Sequence, residues 1–164
     1  DGSDHGLCQI ANDNGAGQVV ISGAVEAMQY VVENAKSHGV RRAVMLPVSA
    51  PFHSEWMLPA SSVMRSEFDN VSANSPKVPV LANVTVEKVT DAASSIDALV
   101  AQVAGQVRWR ESMDYMLSQG IDTFIEIGPG KVLSNLISRI EGQANTFALL
   151  SPESIKDAED NFKK

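Results

Sequence analysis

The sequence predicts a protein of the α/β class, in which strands and helices alternate and the sheet is largely parallel. From residue 78 to residue 150, short runs rich in β-branched and aromatic residues alternate with segments whose apolar residues recur every three or four positions. This alternation is typical of α/β proteins. The chain has 164 residues, of which 44% are hydrophobic and 20% charged, so a folded core is expected and not a disordered chain.

The first 47 residues predict a smaller unit of two strands, a helix and a third strand. Strands over residues 7–11 and 18–22 flank a turn rich in Asn and Gly, which tolerate positive φ angles. An amphipathic helix then runs to Gly39, and a strand over residues 40–47 ends at Pro47. The order β-β-α-β is what remains of a ferredoxin-like β-α-β-β-α-β unit without its first strand and helix. We therefore expect a truncated ferredoxin-like subdomain over residues 1–47.

The rest of the chain predicts a loop followed by four helices and three strands. In chain order these are a loop at 48–54, a helix opened by Pro59, a strand at 78–84, helices at 96–103 and 109–117, a strand at 123–127, a helix at 132–140 and a strand at 146–150. A Gly-Pro-Gly turn follows the strand at 123–127. Residues 151–164 are polar and charged, and we expect a surface helix or a frayed end there.

Charge and composition exclude several classes of function. A net charge of -7 argues against a nucleic-acid-binding surface and against a polybasic membrane contact. No apolar run reaches the roughly 20 residues that span a bilayer, and the first residues do not resemble a signal peptide. Cys8 is the single cysteine, which excludes an internal disulfide and fits a reducing cytoplasm. The three histidines lie far apart in the sequence, so we expect no metal site.

His53 is the residue best suited to chemistry. It lies in a loop stiffened by Pro47 and Pro51, and a histidine held in such a loop can move a proton at neutral pH. Taken alone, a loop histidine is more often a hydrogen-bonded structural or surface residue than a catalytic one. A base also needs a nucleophile to activate, and the sequence contains no Gly-x-Ser-x-Gly segment. The sequence therefore offers a candidate base without its nucleophile.

Three segments, in this order and spacing, resemble the malonyl-CoA:acyl carrier protein transacylases of bacterial fatty acid synthesis. Residues 12–23 read Asn-Asp-Asn-Gly-Ala-Gly-Gln-Val-Val-Ile-Ser-Gly, residues 48–54 read Val-Ser-Ala-Pro-Phe-His-Ser, and residues 126–133 read Glu-Ile-Gly-Pro-Gly-Lys-Val-Leu. The resemblance continues through residues 107–109 and 115–116 and covers nearly all of residues 7–150. It implies an α/β-hydrolase-like acyltransferase domain, of which residues 48–150 would form the carboxyl-terminal part, followed by the polar tail.

The resemblance also implies a chemistry and a set of site residues. In that family a serine takes malonyl from malonyl-CoA and passes it to the phosphopantetheine thiol of acyl carrier protein, while a histidine removes and returns the proton. His53 matches that histidine, and Gln102 matches the glutamine whose backbone carbonyl orients it. Asn14 lies in the loop that borders the cleft in the family, and the bulky side chain of Phe52 would select malonyl over branched acyl groups. No cofactor is implied.

The resemblance also implies what this sequence lacks. The family's Gly-His-Ser-Leu-Gly segment and its carboxylate-binding arginine would lie upstream of Asp1, so we expect a chain that is inactive without the missing amino-terminal portion as its partner. Two alternatives remain open. One is a non-catalytic ferredoxin-like binding module, and the other is a fragment of a polyketide-type acyltransferase that uses another carrier.

Overall fold

The computed structural model describes residues 2–140 and 144–162, and its mixture of helices and strands confirms the α/β class. The chain forms two compact units. The first unit comprises Gln18–Trp109 and the residues before Gly15, and the second comprises Gly15–Gly17 and the residues after Trp109. The subdomain boundaries expected at residues 47 and 150 concern the family architecture and stay a prediction. No helix of the described residues is both long and apolar enough to cross a membrane.

The first unit begins with an antiparallel hairpin and a helix, as the sequence predicts. Strand β1 (Cys8–Asp13) pairs with β2 (Val19–Gly23), and the register shifts between Ile10 and Asn12, which marks a β-bulge. Helix α1 (Val25–Asn34) follows and tightens into a 3₁₀ turn before Gly39. Gly39 has a φ of 80°, a value that favours glycine at the end of a helix. The small core of this part consists of Ala24, Ala27 and Met28, packed against Cys8 and Ile21.

The strand expected over residues 40–47 is wrong, because residues 40–54 contain neither strand nor helix. A strand is held by backbone hydrogen bonds to a neighbour, and among the described residues no strand pairs with this segment. Its apolar side chains are half exposed, Val44 at 54% and Leu46 at 50%. The observed order at the start of the first unit is therefore β-β-α, and the last strand of the expected ferredoxin-like remnant is absent from the structure.

Two helices pack against each other in the middle of the first unit. Helix α2 (Leu58–Phe68) has Pro59 as its second residue, where the missing N–H costs no helical hydrogen bond. Helix α3 (Ala92–Ala104) is capped by Asp91, whose carboxylate accepts a hydrogen bond from the Ser94 N–H. The two helices are in contact, and an ion pair joins their exposed surfaces.

A second hairpin lies between α2 and α3 in the sequence. Strand β3 (Val80–Ala82) pairs antiparallel with β4 (Glu87–Val89), so the expected strand at 78–84 is shorter than predicted and its partner was not predicted. The turn contains Val86 with a φ of 60°, an uncommon conformation for a β-branched residue. The expectation of a largely parallel sheet is therefore wrong for this part of the chain.

The second unit alternates helices and strands. Helix α4 (Trp109–Ser118) enters this unit at Arg110 and leads to strand β5 (Thr123–Ile127), helix α5 (Val132–Ile137), strand β6 (Asn145–Leu149) and helix α6 (Pro152–Phe162). β5 and β6 pair in parallel, which confirms the parallel arrangement for this unit. The tail expected at 151–164 forms α6 as far as the structure describes it.

Candidate active site

His53 adopts a backbone conformation that few side chains take. Its φ is 57°, in the left-handed region, where a side chain other than glycine costs on the order of 1–2 kcal/mol. The next residue, Ser54, is 1% exposed, and its hydroxyl donates a hydrogen bond of 2.6 Å to the carbonyl of Pro51. The buried Ser54 side chain and its hydrogen bond to Pro51 therefore stabilise the loop around His53.

Strand β1 anchors the same loop from its other side. The backbone N–H of Glu55 donates to the side-chain carbonyl of Gln9, with 2.8 Å between the atoms. Gln9 lies in β1, which is paired with β2 and cannot move freely. The segment that carries His53 is thus tied to the hairpin at the start of the first unit.

The His53 ring faces two backbone carbonyls at the end of α3. Its Nδ1 lies 3.1 Å from the carbonyl oxygen of Gln102 and 3.0 Å from that of Gly105. Carbonyl oxygens only accept hydrogen bonds, so Nδ1 carries the proton and Nε2 of the neutral ring has a free lone pair. This assignment follows from the hydrogen-bond pattern. The contact expected between His53 and the Gln102 carbonyl is present, and it leaves Nε2 able to accept a proton.

The segment after α3 is itself held in place. The side-chain amide of Gln102 donates to the carbonyl of Gly105 at 3.1 Å and to that of Gln106 at 3.4 Å. Val107 is bonded to the edge of β1: its N–H donates to the Ala11 carbonyl at 2.8 Å, and its carbonyl accepts from Asp13 at 2.9 Å. β1 therefore supports both the His53 loop and the carbonyls that His53 contacts.

A cavity of about 470 Å³ opens beside His53 in the first unit. Its apolar surface comes from Ile10, Leu58, Ala101 and Ala104, and its polar edge comes from His53, Gln9, Glu55, Gly105 and Gln106. The volume is within the range of small-molecule sites, but the cavity is broadly open to solvent, and His53 lies at its edge.

The other two expected site residues lie outside the set that lines this cavity. Phe52 precedes His53 and its side chain is 47% exposed. Asn14 follows the end of β1, and its N–H donates to the carbonyl of Gln18 at 3.0 Å, which closes the hairpin turn. The structure thus brings His53 and Gln102 together and does not bring Asn14 or Phe52 to the cavity. Among residues 2–140 and 144–162, no three His, Cys, Asp or Glu side chains are placed to hold a metal ion.

The Gly-Pro-Gly segment, in the second unit, has a different use for its polar residue. The carboxylate of Glu126 in β5 accepts hydrogen bonds from the N–H groups of Leu133 and Ser134, at 3.1 and 2.8 Å, and from the Ser134 hydroxyl at 2.7 Å. The hydroxyl bond first, and then the backbone bonds, hold the pKa of the Glu126 carboxyl below its ordinary value. This carboxylate stabilises the first turn of α5 and contacts no candidate catalytic residue named above.

Sequence reasoning missed Gly105 and Gln9. Gly105 contributes a backbone carbonyl, which every residue carries, so no side-chain pattern identifies it. Gln9 acts through its side-chain amide near the start of β1, and its spacing from Glu55 carries no periodic signal. The proximity of α3 to the His53 loop would have suggested both.

Comparisons with known proteins find similarity to one family over nearly the whole chain. The family described as "Acyl transferase domain" matches residues 7–164. The chain is similar to the malonyl CoA-acyl carrier protein transacylase of Bacillus subtilis, with 40% identity over 96% of this chain and 50% of that protein. The Escherichia coli K12 protein of the same name is 40% identical over 90% of this chain and 48% of its own length. The chain therefore spans about half the length of these relatives.

Solved structures show the same relation. The chain matches the acyl-carrier-protein S-malonyltransferase of Bartonella henselae with a TM-score of 0.93 and 44% identity, over 99% of this chain and 52% of that one. It also matches a malonyl-transacylase solved in complex with a type II polyketide synthase acyl-carrier protein, with a TM-score of 0.91 and 33% identity, over 97% and 52% of the two chains.

Proposed function

The chain belongs to the acyl transferase domain family, and on that premise we propose that it supplies the histidine base of a malonyl-CoA:acyl carrier protein transacylase. The observation that carries the proposal is the contact of His53 Nδ1 with two backbone carbonyls. It leaves Nε2 as the proton acceptor, which is the role a histidine has beside a nucleophilic hydroxyl.

The proposed reaction is a two-step acyl transfer. His53 Nε2 takes the proton of a serine hydroxyl as the oxygen attacks the thioester carbonyl of malonyl-CoA, and the ring returns that proton to the departing coenzyme A thiolate. In the second step, Nε2 takes the proton of the phosphopantetheine thiol on acyl carrier protein as the sulfur attacks the malonyl ester. The serine oxygen leaves and receives the proton back. Each half-reaction is balanced, and one histidine serves both.

The serine of this mechanism lies outside the present sequence, which contains no Gly-x-Ser-x-Gly segment. The relatives are about twice as long as this chain, so the amino-terminal half of such an enzyme is the proposed partner for catalysis. Without it, the chain would hold a base and no nucleophile, and it would be inactive alone.

The remaining site residues have narrower proposed roles. The Gln102 carbonyl fixes the His53 tautomer, and unlike the aspartate of a serine protease triad it does so without a full charge. Phe52, beside His53 in the sequence and half exposed, would limit the acyl group to malonyl by crowding a branched α-carbon. Asn14 would border the cleft from the β1–β2 turn.

The family match over residues 7–164 favours this function over a self-standing binding module. The second candidate keeps the same chemistry but uses the carrier protein of a polyketide synthase. It is favoured by one observation, the similarity to the transacylase solved with such a carrier.

The proposal is tested with two proteins: the chain alone, and a chimaera in which the chain replaces the matching half of the Bacillus subtilis relative. After incubation with malonyl-CoA, intact-protein mass spectrometry should detect no malonyl adduct on the chain alone and one adduct on the chimaera. Adding acyl carrier protein in its phosphopantetheine-bearing form should remove the adduct. The same chimaera with its elbow serine replaced by alanine is the control and should stay unlabelled.

A malonyl adduct on any serine of the chain alone would contradict the proposed division of residues. A folded chimaera that takes up no malonyl would contradict the proposed function. If only the polyketide carrier removes the adduct, the second candidate replaces the first.

A further inference from the structure

We infer that Gly105 is a positioning residue for His53, and that the side-chain amide of Gln102 holds the Gly105 carbonyl in place. The inference deepens the proposed function and rests on it for its catalytic meaning. Its structural content concerns only residues of this chain, so it can be tested without the serine or the acyl group.

The N–H group of the His53 ring has two hydrogen-bond acceptors within reach. Nδ1 of His53 lies within hydrogen-bond distance of both carbonyls, and the distance to Gly105, 3.0 Å, is no longer than that to Gln102, 3.1 Å. One N–H can be shared between two acceptors, as is common at helix ends. A second acceptor raises the free energy of the alternative tautomer, because that tautomer would leave an Nδ1 lone pair facing two carbonyl oxygens.

Both carbonyls lie at the carboxyl-terminal end of α3. Gln102 lies in the last turn of α3, and Gly105 directly follows its last residue, Ala104. The last carbonyls of a helix have no partner within the helix and carry its negative partial charge. The Nδ1 side of the ring is therefore placed against the carboxyl-terminal end of α3, where the Gln102 carbonyl is available to accept its proton.

The side-chain amide of Gln102 restrains the position of the Gly105 carbonyl. A carbonyl oxygen has two lone pairs, so it can accept from the Gln102 amide, at 3.1 Å, and from His53 together. The same amide also reaches the carbonyl of Gln106. With only a methylene chain at position 102, the residues after α3 would lose this side-chain link, and Gly105 would keep the backbone bond to Ala101.

The space around position 105 favours glycine. A Cβ built on Gly105 would overlap Val84 Cγ2 and would lie 2.8 Å from the carbonyl oxygen of Ala101. Gly105 has a φ of -82°, so a side chain here is opposed by steric contact and not by φ, and Val84 or the end of α3 would have to shift to admit it. Close packing against the β3–β4 turn thus adds a second restraint on the direction of its carbonyl.

The experiment reads the tautomer of His53 from the ¹⁵N shifts of its ring in two-bond ¹H–¹⁵N spectra of the full chain. At about pH 9, where imidazole is neutral, we expect the proton on Nδ1. Gln102→Met keeps helix propensity and length but removes the amide donor. It should shift the equilibrium toward the Nε2–H tautomer by about fivefold, the effect of weakening one neutral hydrogen bond.

Two controls accompany this variant. Gln29→Met makes the same chemical change at an exposed position of α1 and should leave the His53 ratio unchanged. His5 and His38 report in the same spectrum and should not respond to Gln102→Met. A purely structural role for Gln102 would change stability without changing the His53 tautomer.

The inference is overturned if the unsubstituted chain holds the proton on Nε2, or if folded Gln102→Met leaves the ratio unchanged. Should Gln102→Met not fold, His53→Ala decides the question. It should shift the ¹³C resonance of the Gly105 carbonyl and not that of Ala101, and an unshifted Gly105 resonance overturns the inference. None of these outcomes depends on malonyl transfer, so failure of the chimaera to take up malonyl removes the proposed function and leaves the positioning of His53 intact.

Discussion

The loop that carries His53 and the turn that follows β5 both contain positive φ angles, but they place different residues at those positions. Each contains residues with positive φ: His53 at 57° in the first, and Gly128 at 135° and Gly130 at 93° in the second. In the Gly-Pro-Gly turn these positions are glycines, which adopt such angles without strain. In the His53 loop the position is a histidine, although a glycine would be the less strained choice.

The two segments also differ in the hydrogen bonds that their polar residues make. The polar residue beside the glycine turn, Glu126, accepts hydrogen bonds from the first turn of α5. The polar residue of the strained loop, His53, uses Nδ1 for two carbonyls and leaves Nε2 free to react. Strain at a residue other than glycine persists only where the surrounding structure stabilises it, and Val86 in the β3–β4 turn shows that it also occurs in a plain turn.

The largest expected effect is on catalysis. In the chimaera with the Bacillus subtilis half, His53→Ala should lower kcat/KM for malonyl transfer about 10³-fold, because no group replaces the base. His38→Ala, at an exposed histidine near the end of α1, is the matched control and should stay within about twofold, the variation ordinary for surface substitutions. Steady-state kinetics with both substrates measure the effect, and a loss below about tenfold would remove His53 as the base.

The second effect concerns the strain itself. In the chain alone, His53→Gly should have a free energy of unfolding about 1 kcal/mol higher than His53→Ala, since only glycine adopts this φ without cost. At Asp69, which ends α2 with a φ of -61°, the same pair of substitutions should give the opposite order. Urea unfolding of the four variants measures both differences. Equal stability of His53→Gly and His53→Ala would mean that the loop relaxes and stores no strain.

The elements of the second unit were largely predictable from sequence because their signals are local. Apolar periodicity located β5, α5 and β6, and parallel pairing followed from the alternation of strands and helices. The second hairpin was missed because its turn contains Val86 at positive φ where a glycine or asparagine would have marked it. The strand expected at 40–47 has the right residues, but a strand also needs a neighbour, and that information is not local.

The candidate site was predictable to a different degree. His53 and Gln102 are 49 residues apart, and no periodicity links them, so only the resemblance to a family suggested their contact. Gly105 was out of reach, because its contribution is a carbonyl and its need for glycine comes from packing against Val84. Side-chain chemistry can be read from a sequence, whereas the direction of a backbone carbonyl requires the fold.

The smallest expected effect is the pH dependence of the glycine turn. The pKa of Glu126 is lowered from 4.5 chiefly by the hydroxyl and N–H of Ser134, so the charged carboxylate is the form that stabilises the folded state. That stability is fully present above about pH 4.5 and is lost as the pH falls through the lower, folded-state pKa. Glu126→Gln removes the charge at every pH. The difference in stability between the two proteins should therefore be largest near neutral pH and should shrink below pH 4.5.

Hydrogen exchange of the Leu133 and Ser134 amides reports this effect directly, because both donate to the carboxylate. The free energy of opening at these amides should fall in Glu126→Gln near neutral pH, and the protection should converge with that of the unsubstituted chain in acid. Asp160→Asn, which neutralises an exposed carboxylate of α6, should leave both amides unchanged. The His53 tautomer should not respond to Glu126→Gln, because the carboxylate bonds to α5 and not to the α3 carbonyls that hold the ring. A response there would break the distinction between a turn that stabilises a helix and a loop that positions the His53 ring.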